Sequence, residues 1–211
     1  MIFSPRTTNN SDSFTLVELL TVMAIIAILA ALVLSISGYA QKKGAMARAD
    51  AEIHALEAAC EGYKSDNGIY PRGPGSQTTI GSTNVSGSAT DLLDARVSGN
   101  PSNYAQASVY LYSQLSGDTN GNGIIESSEV SNKRYFEFKP TMLSGTVSYI
   151  ADPWGNSYGY STAYQGWVDK GSTGAQKGYN PTFDLWSTTG KTTTPAPGNA
   201  TDVTQQWIKN W

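Results

Sequence analysis

Residues 13–37 read SFTLVELLTVMAIIAILAALVLSIS, a run of 25 mostly apolar residues. As a helix rising about 1.5 Å per residue, the run is long enough to cross the roughly 30 Å hydrocarbon core of a bilayer. One charge interrupts it, Glu18. A carboxylate in that setting costs up to about 2.5–3.5 kcal/mol near a helix centre and less near an end. A plain anchor has no use for it, so Glu18 is expected to have a function and a partner.

A secretory signal would place a small-residue cleavage site after its apolar region. Here a short polar leader, residues 1–13, precedes the run, and the run continues without a break into Gln41-Lys42-Lys43. The run is therefore expected to be kept as an anchor. From Gly44 to Lys64 the periodicity turns amphipathic. Met46, Ala49, Ile53, Leu56, Cys60 and Tyr63 recur every three or four residues, and Asp50, Glu52, Glu57 and Glu61 lie off that stripe. The pattern predicts one unbroken helix of about 50 residues, near 75 Å long. Asp66-Asn67-Gly68 should end it, with Gly or Asn in the left-handed cap. His54, the single histidine, reads as a solvated helix residue.

Ser13-Phe14-Thr15-Leu16-Val17-Glu18 followed by an apolar run resembles the processing signal of type IV pilins and type II secretion pseudopilins. The segment Tyr63 to Pro71 (YKSDNGIYP), the run Asp152 to Asn156 (DPWGN) and the terminal Ile208-Lys-Asn-Trp211 resemble the major pseudopilin of type II secretion. The resemblance implies cleavage by a prepilin peptidase between Ser13 and Phe14, then methylation of the new amino terminus. Ser13 departs from the family's usual Gly before the cut. The resemblance further implies that Glu18 pairs with the Phe14 amine of a neighbouring subunit. Two opposite charges, each costly alone in lipid, offset each other there. Its further implications are a homopolymeric filament, minor pseudopilins and an inner-membrane assembly platform as partners, and a single pass with the head in the periplasm. Lys42-Lys43 lie on the side the positive-inside rule would not choose; the family topology is taken over that cue.

The predicted fold class is α+β: a transmembrane helix continuing into a small antiparallel β head, the pilin-like fold. The expected divisions are a leader at 1–13, a membrane or filament-core helix at 14–37, its amphipathic continuation at 38–66, and a head at 67–211. Within the head, 72–100 is rich in Gly, Ser and Thr and reads as an inserted surface loop. A short helix is expected from Asn103 to Leu115. Strands are expected at Arg134–Lys139, Val147–Ile150, Tyr158–Ser161 and Thr182–Ser187.

Asp118 to Glu129, DTNGNGIIESSE, matches the EF-hand loop pattern at its key positions. Oxygen ligands fall at positions 1, 3 and 5 (Asp118, Asn120, Asn122), a glycine at 6, an apolar residue at 8 and Glu129 at 12. Calcium takes six to eight oxygens and needs a sharp turn at the glycine. The expected ligands are those three side chains, the Ile124 carbonyl, Glu126 directly or through water, and Glu129. A structural calcium ion is the expected cofactor. The alternative is an acidic turn that binds nothing. By resemblance a second calcium site would involve Ser187, the Leu185 carbonyl and Asp202, although the stretch after Trp186 keeps Asp202 as its one acid.

The net charge is −3, unchanged by loss of the leader because Arg6 and Asp12 cancel. No basic patch points to nucleic acid. One cysteine, Cys60, excludes an intrachain disulfide, a pattern closer to secretion pseudopilins than to pilins. No nucleophile–base pair or histidine cluster suggests an enzyme. The leading reading is a major-pseudopilin-like subunit of a type II secretion filament. The alternatives are a type IV pilus subunit serving adhesion, motility or DNA uptake, and a membrane-anchored calcium-binding surface module.

The processing signal generates a direct expectation. Intact-mass and amino-terminal analysis of membrane-extracted protein should find a chain beginning at N-methyl-Phe14. A chain still starting at Met1, or cut after Ala40, contradicts it.

Overall fold

The computed structural model describes residues 15–144, 149–191 and 206–211. The chain divides into two compact units, up to Lys43 and from Gly44 onward. Helix α1, Leu16–Asn67, is 52 residues long and belongs to both. Its ends follow the local sequence. The Thr15 hydroxyl accepts from the Glu18 amide at 3.2 Å, capping the first turn. At the other end Gly68 takes φ +79° and its amide donates to the Lys64 carbonyl at 2.7 Å. A left-handed residue there closes the helix with little steric cost because glycine has no Cβ.

In the second unit the predicted stripe is the buried one. Ala49, Ile53, Leu56 and Cys60 are all at most 1 % exposed, while Asp50 and Glu61 are exposed. The stripe packs on α3 (Ala105–Ser116) through Leu111, Tyr112 and Leu115, and on Ile150, Tyr158, Tyr160, Phe183 and Leu185. Burial pushes the Cys60 thiol up, so it behaves as a small core residue. Gly117 ends α3 in the left-handed region at φ +78°.

The described strands form three small antiparallel sheets. Strands β1 (Thr78–Ile80) and β2 (Thr83–Val85) make a hairpin, and β3 (Leu143–Ser144) pairs with β4 (Tyr149–Ile150). The third sheet has the order β5 (Gly159–Ser161), β6 (Asp184–Ser187), β7 (Ile208–Lys209), with Tyr160 opposite Leu185 and Ser187 opposite Ile208. The DPWGN run turns the chain from β4 towards β5. Asp152 and Asn156 bond across it, Ala151 bridges Ser157, and Gly155 supplies φ +81°.

Two expectations change. The stretch 72–100 is not a surface loop. It carries β1, β2 and the short helix α2 (Ala89–Leu92), and it buries Val85, Thr90 and Ala95 almost completely. The Thr162 hydroxyl lies 2.7 Å from both the Thr90 hydroxyl and the Asp91 carboxylate, beside helix α4 (Ala163–Asp169). Arg72 ties Asp91 to Asp169 across the same helices. The segment 134–139 is not a strand either. Tyr135, Phe136 and Phe138 all pack on the α1–α3 core, so the side chains do not alternate between two faces as a ladder requires. The strand expected at 147–150 is described only over Tyr149–Ile150, since 145–148 lie outside the described residues.

Close packing is tightest at β5. A Cβ on Gly159 would fall inside the buried Trp186 ring. Gly159→Ala should therefore destabilise the protein by about 1–3 kcal/mol, read as a melting point several degrees lower. A melting curve superimposable on the parent's would show the contact to be loose.

Candidate functional site: the amino-terminal helix and the 118–129 loop

From Leu16 to Ile36 every large apolar side chain is exposed, from 48 % at Val22 to 80 % at Leu16. Among the described residues, α1 is the one helix long and apolar enough to cross a membrane. So much contiguous apolar surface is not stable in water and requires lipid or protein around it. Glu18 sits exposed in the first turn, where a negative charge is favoured by the helix dipole. Its carbonyl accepts from the Thr21 hydroxyl at 2.9 Å. Thr15-Leu-Val-Glu18 has the form of a capping box, a sequence signal the membrane-centred reading passed over. The cap orients Glu18 on the first turn and leaves its carboxylate exposed. Ser13 and Phe14 lie outside the described residues.

The loop at 118–129 begins where Gly117 releases the chain from α3. Asp118 is fully buried, and its carboxylate accepts from the Gly121 and Gly123 amides at 2.7 Å and from the Tyr112 hydroxyl at 2.8 Å. Glu129, 4 % exposed, closes the loop by accepting from the Thr119 amide (2.8 Å), the Thr119 hydroxyl (2.7 Å) and the Asn120 amide (3.2 Å). The Thr119 hydroxyl bond, with those amides, holds the Glu129 carboxyl below its ordinary range. The side-chain oxygens of Asn120 and Asn122 each accept from the amide two residues on. Asn122 donates to Glu126 at 3.0 Å. Gly121 and Gly123 supply positive φ, +71° and +83°. All six proposed ligand residues thus lie on one closed turn, with Asp118 and Glu129 inward and Asn122, Ile124 and Glu126 outward.

The remaining sequence candidates are quieter. His54 is solvated and bonds to Glu57 at 2.8 Å. The Ser187 hydroxyl donates to Asp152 at 2.6 Å, the Leu185 carbonyl accepts from the Asn210 amide at 3.2 Å, and Asp202 lies outside the described residues. Sequence reasoning missed two buried carboxylates. Asp94 accepts from the Arg96 and Gly178 amides, and Asp184 from the Tyr179 and Asn180 amides, which together fasten the 176–180 turn. Desolvation raises Asp184 from 3.8 to about 6.

Comparison with known proteins gives one finding. A family model described as the prokaryotic N-terminal methylation motif matches residues 8–34, a span that contains Ser13, Phe14 and Glu18. No curated protein and no solved structure is significantly similar to the chain. The chain therefore carries a prepilin-type motif on a long apolar helix, followed by small antiparallel sheets. That combination points to the type IV pilin-like and pseudopilin class, with processing by a prepilin peptidase, filament assembly and a single-pass membrane anchor.

Asp184 generates a pH dependence. The unfolded chain ionises this carboxyl near 3.8 and the folded chain near 6, so the folded state loses stability as pH rises through that window and is level above it. The loss is at most about 3 kcal/mol, at 1.36 kcal/mol per pH unit. Melting points at about pH 4 and about pH 6.5 should differ less in Asp184→Asn than in the parent. Equal differences would show that Asp184 titrates normally.

Proposed function

We propose that the chain is the main structural subunit of a type II secretion pseudopilus. After cleavage before Phe14 it polymerises through its amino-terminal helix to support protein export. It acts as a scaffold and not as an enzyme. The observation that carries this reading is Glu18. It is an exposed carboxylate within the methylation motif, on a helix whose apolar side chains from Leu16 to Ile36 all face outward.

The physical logic follows from that placement. The cleaved chain has a cationic Phe14 amine four residues before an anionic Glu18, and both are costly in lipid. A neighbour displaced along the filament axis brings its amine level with this carboxylate. The apolar faces of Leu16, Leu19, Leu20, Met23 and Ile26 then leave the bilayer together against other subunits. Two features favour a secretion pseudopilus over a type IV pilus. Cys60 is the single cysteine and is buried in the core, so no disulfide closes the C-terminal region. The DPWGN turn joins antiparallel segments, as it does in the major pseudopilin that the sequence resembles. On this reading the head faces the periplasm, and minor pseudopilins and an inner-membrane assembly platform are the partners.

Glu18→Ala should insert into the membrane as well as the parent, or better, while secretion and filaments fail. Glu18→Asp, one methylene shorter, should be partly impaired. Filaments of normal yield from Glu18→Ala, seen by electron microscopy of sheared cells, contradict the proposal. Loss of surface pili with secretion intact would instead identify a pilus subunit.

A further inference from the structure

We infer that the 118–129 loop binds one calcium ion through Asp118, Asn120, Asn122, the Ile124 carbonyl, Glu126 and Glu129, and that the ion fastens the following segment across the end of α1. The inference stands apart from the filament reading, because it concerns the folded unit from Gly44 onward.

Two independent observations meet at this loop. The first is the twelve-residue sequence pattern, which places oxygens at positions 1, 3, 5, 7, 9 and 12 and glycine at 6. The second is electrostatic. Asp118 and Glu129 are both more than nine-tenths buried, and among the described residues neither has a lysine, arginine or histidine within ion-pair distance. The nearby Lys133 is committed to Asp66. The loop itself contains three acids and no base. Amide hydrogen bonds offset part of the cost of burying two carboxylates, but they supply no positive charge. A cation completes the balance. The donor set selects which one. All donors are oxygens, with no histidine or cysteine, so the site suits a hard cation and not zinc. Mixed carboxylate, amide and carbonyl donors on a flexible turn favour calcium over the smaller, strictly octahedral magnesium.

The loop's base shows what the ion would hold. The chain leaves α3 after Ser116 and returns to its last turn at Tyr135, where the Tyr135 and Phe136 amides both donate to the Leu115 carbonyl, at 2.8 and 3.1 Å. Asn132 bonds the Gly117 carbonyl at 2.8 Å. The returning segment then lies on the end of α1. Lys133 pairs with Asp66, the Tyr135 hydroxyl accepts from Asn67 at 3.1 Å, and the Tyr135 ring packs edge-on against Tyr63 at 5.2 Å. Drawing Glu129 onto an ion shared with Asp118 tightens this strap directly.

The test uses the full chain in detergent micelles, unassembled, so that its result does not depend on filament formation. Terbium is the probe, because the Tyr112 hydroxyl bonds Asp118 at 2.8 Å and places a sensitising ring beside the ion. Tyrosine-sensitised emission should saturate, and calcium should displace it where an equal concentration of magnesium does not. Calcium should also slow amide exchange across 118–138. Glu129→Gln should weaken calcium binding at least about tenfold by removing ligand charge. Asn122→Ala, at an exposed position that leaves the core intact, should weaken binding as well. Emission that calcium does not displace, or calcium affinity unchanged in a folded Asn122→Ala protein, overturns the inference.

Discussion

Everything in this molecule depends on one helix meeting two different demands. From Leu16 to Ile36 the large apolar side chains of α1 are all exposed. From Ala49 to Cys60 it is apolar on one stripe, and that stripe is buried against α3 and the strands of the head. The first pattern is stable only where lipid or other helices surround it, and the second only where a folded head covers it. Both stretches belong to one helix of 52 residues.

The head is held by small sheets and by polar ties between them. Strands of two to four residues contribute little alone. Their stability comes from aromatic packing, such as Tyr104 edge-on against Trp186 at 5.1 Å and Trp211 stacked on Tyr179 at 4.6 Å. It comes also from buried and half-buried polar side chains that bond backbone groups far away in sequence. Ser108 bonds Ile150, Tyr160 bonds the Pro71 carbonyl, and Asn210 bonds Leu185 and Phe183. Such bonds specify register where the strands are too short to do so.

The parts legible in the sequence were those with a strong local signal. Helix α1 declared itself by its apolar run and then by the 3–4 spacing from Met46 to Tyr63, and its stop by Asp66-Asn67-Gly68. The hairpin turn at 152–156 was visible because Pro153 fixes φ and Gly155 permits the positive φ the turn needs. The stretch 72–100 was hidden by its Gly, Ser and Thr content. Its order comes from a few long-range contacts, Val85 in the core and Thr90 against Thr162, which no local pattern announces. At 134–139 the alternation of aromatic and polar residues suggested a strand, but tertiary packing drew Tyr135 and Phe136 together onto the core between α1 and α3. The ligand pattern of the 118–129 loop was plain, whereas the burial of Asp118 and Glu129 without a counter-charge required the structure. Asp94 and Asp184 gave no signal, since a lone acid in a polar turn looks solvated until its surroundings are known.

The central claim is that the helices from Leu16 to Ile36 pack against one another in a polymer. Cys60 is the single cysteine and is buried, so a cysteine introduced on the helix reports without background. The direct measurement is oxidative crosslinking, in intact cells, of chains carrying both Leu20→Cys and Ile28→Cys. The account predicts a ladder of covalent multiples extending well beyond the dimer. Monomer alone, at expression levels where the chain is fully inserted and processed, would contradict it.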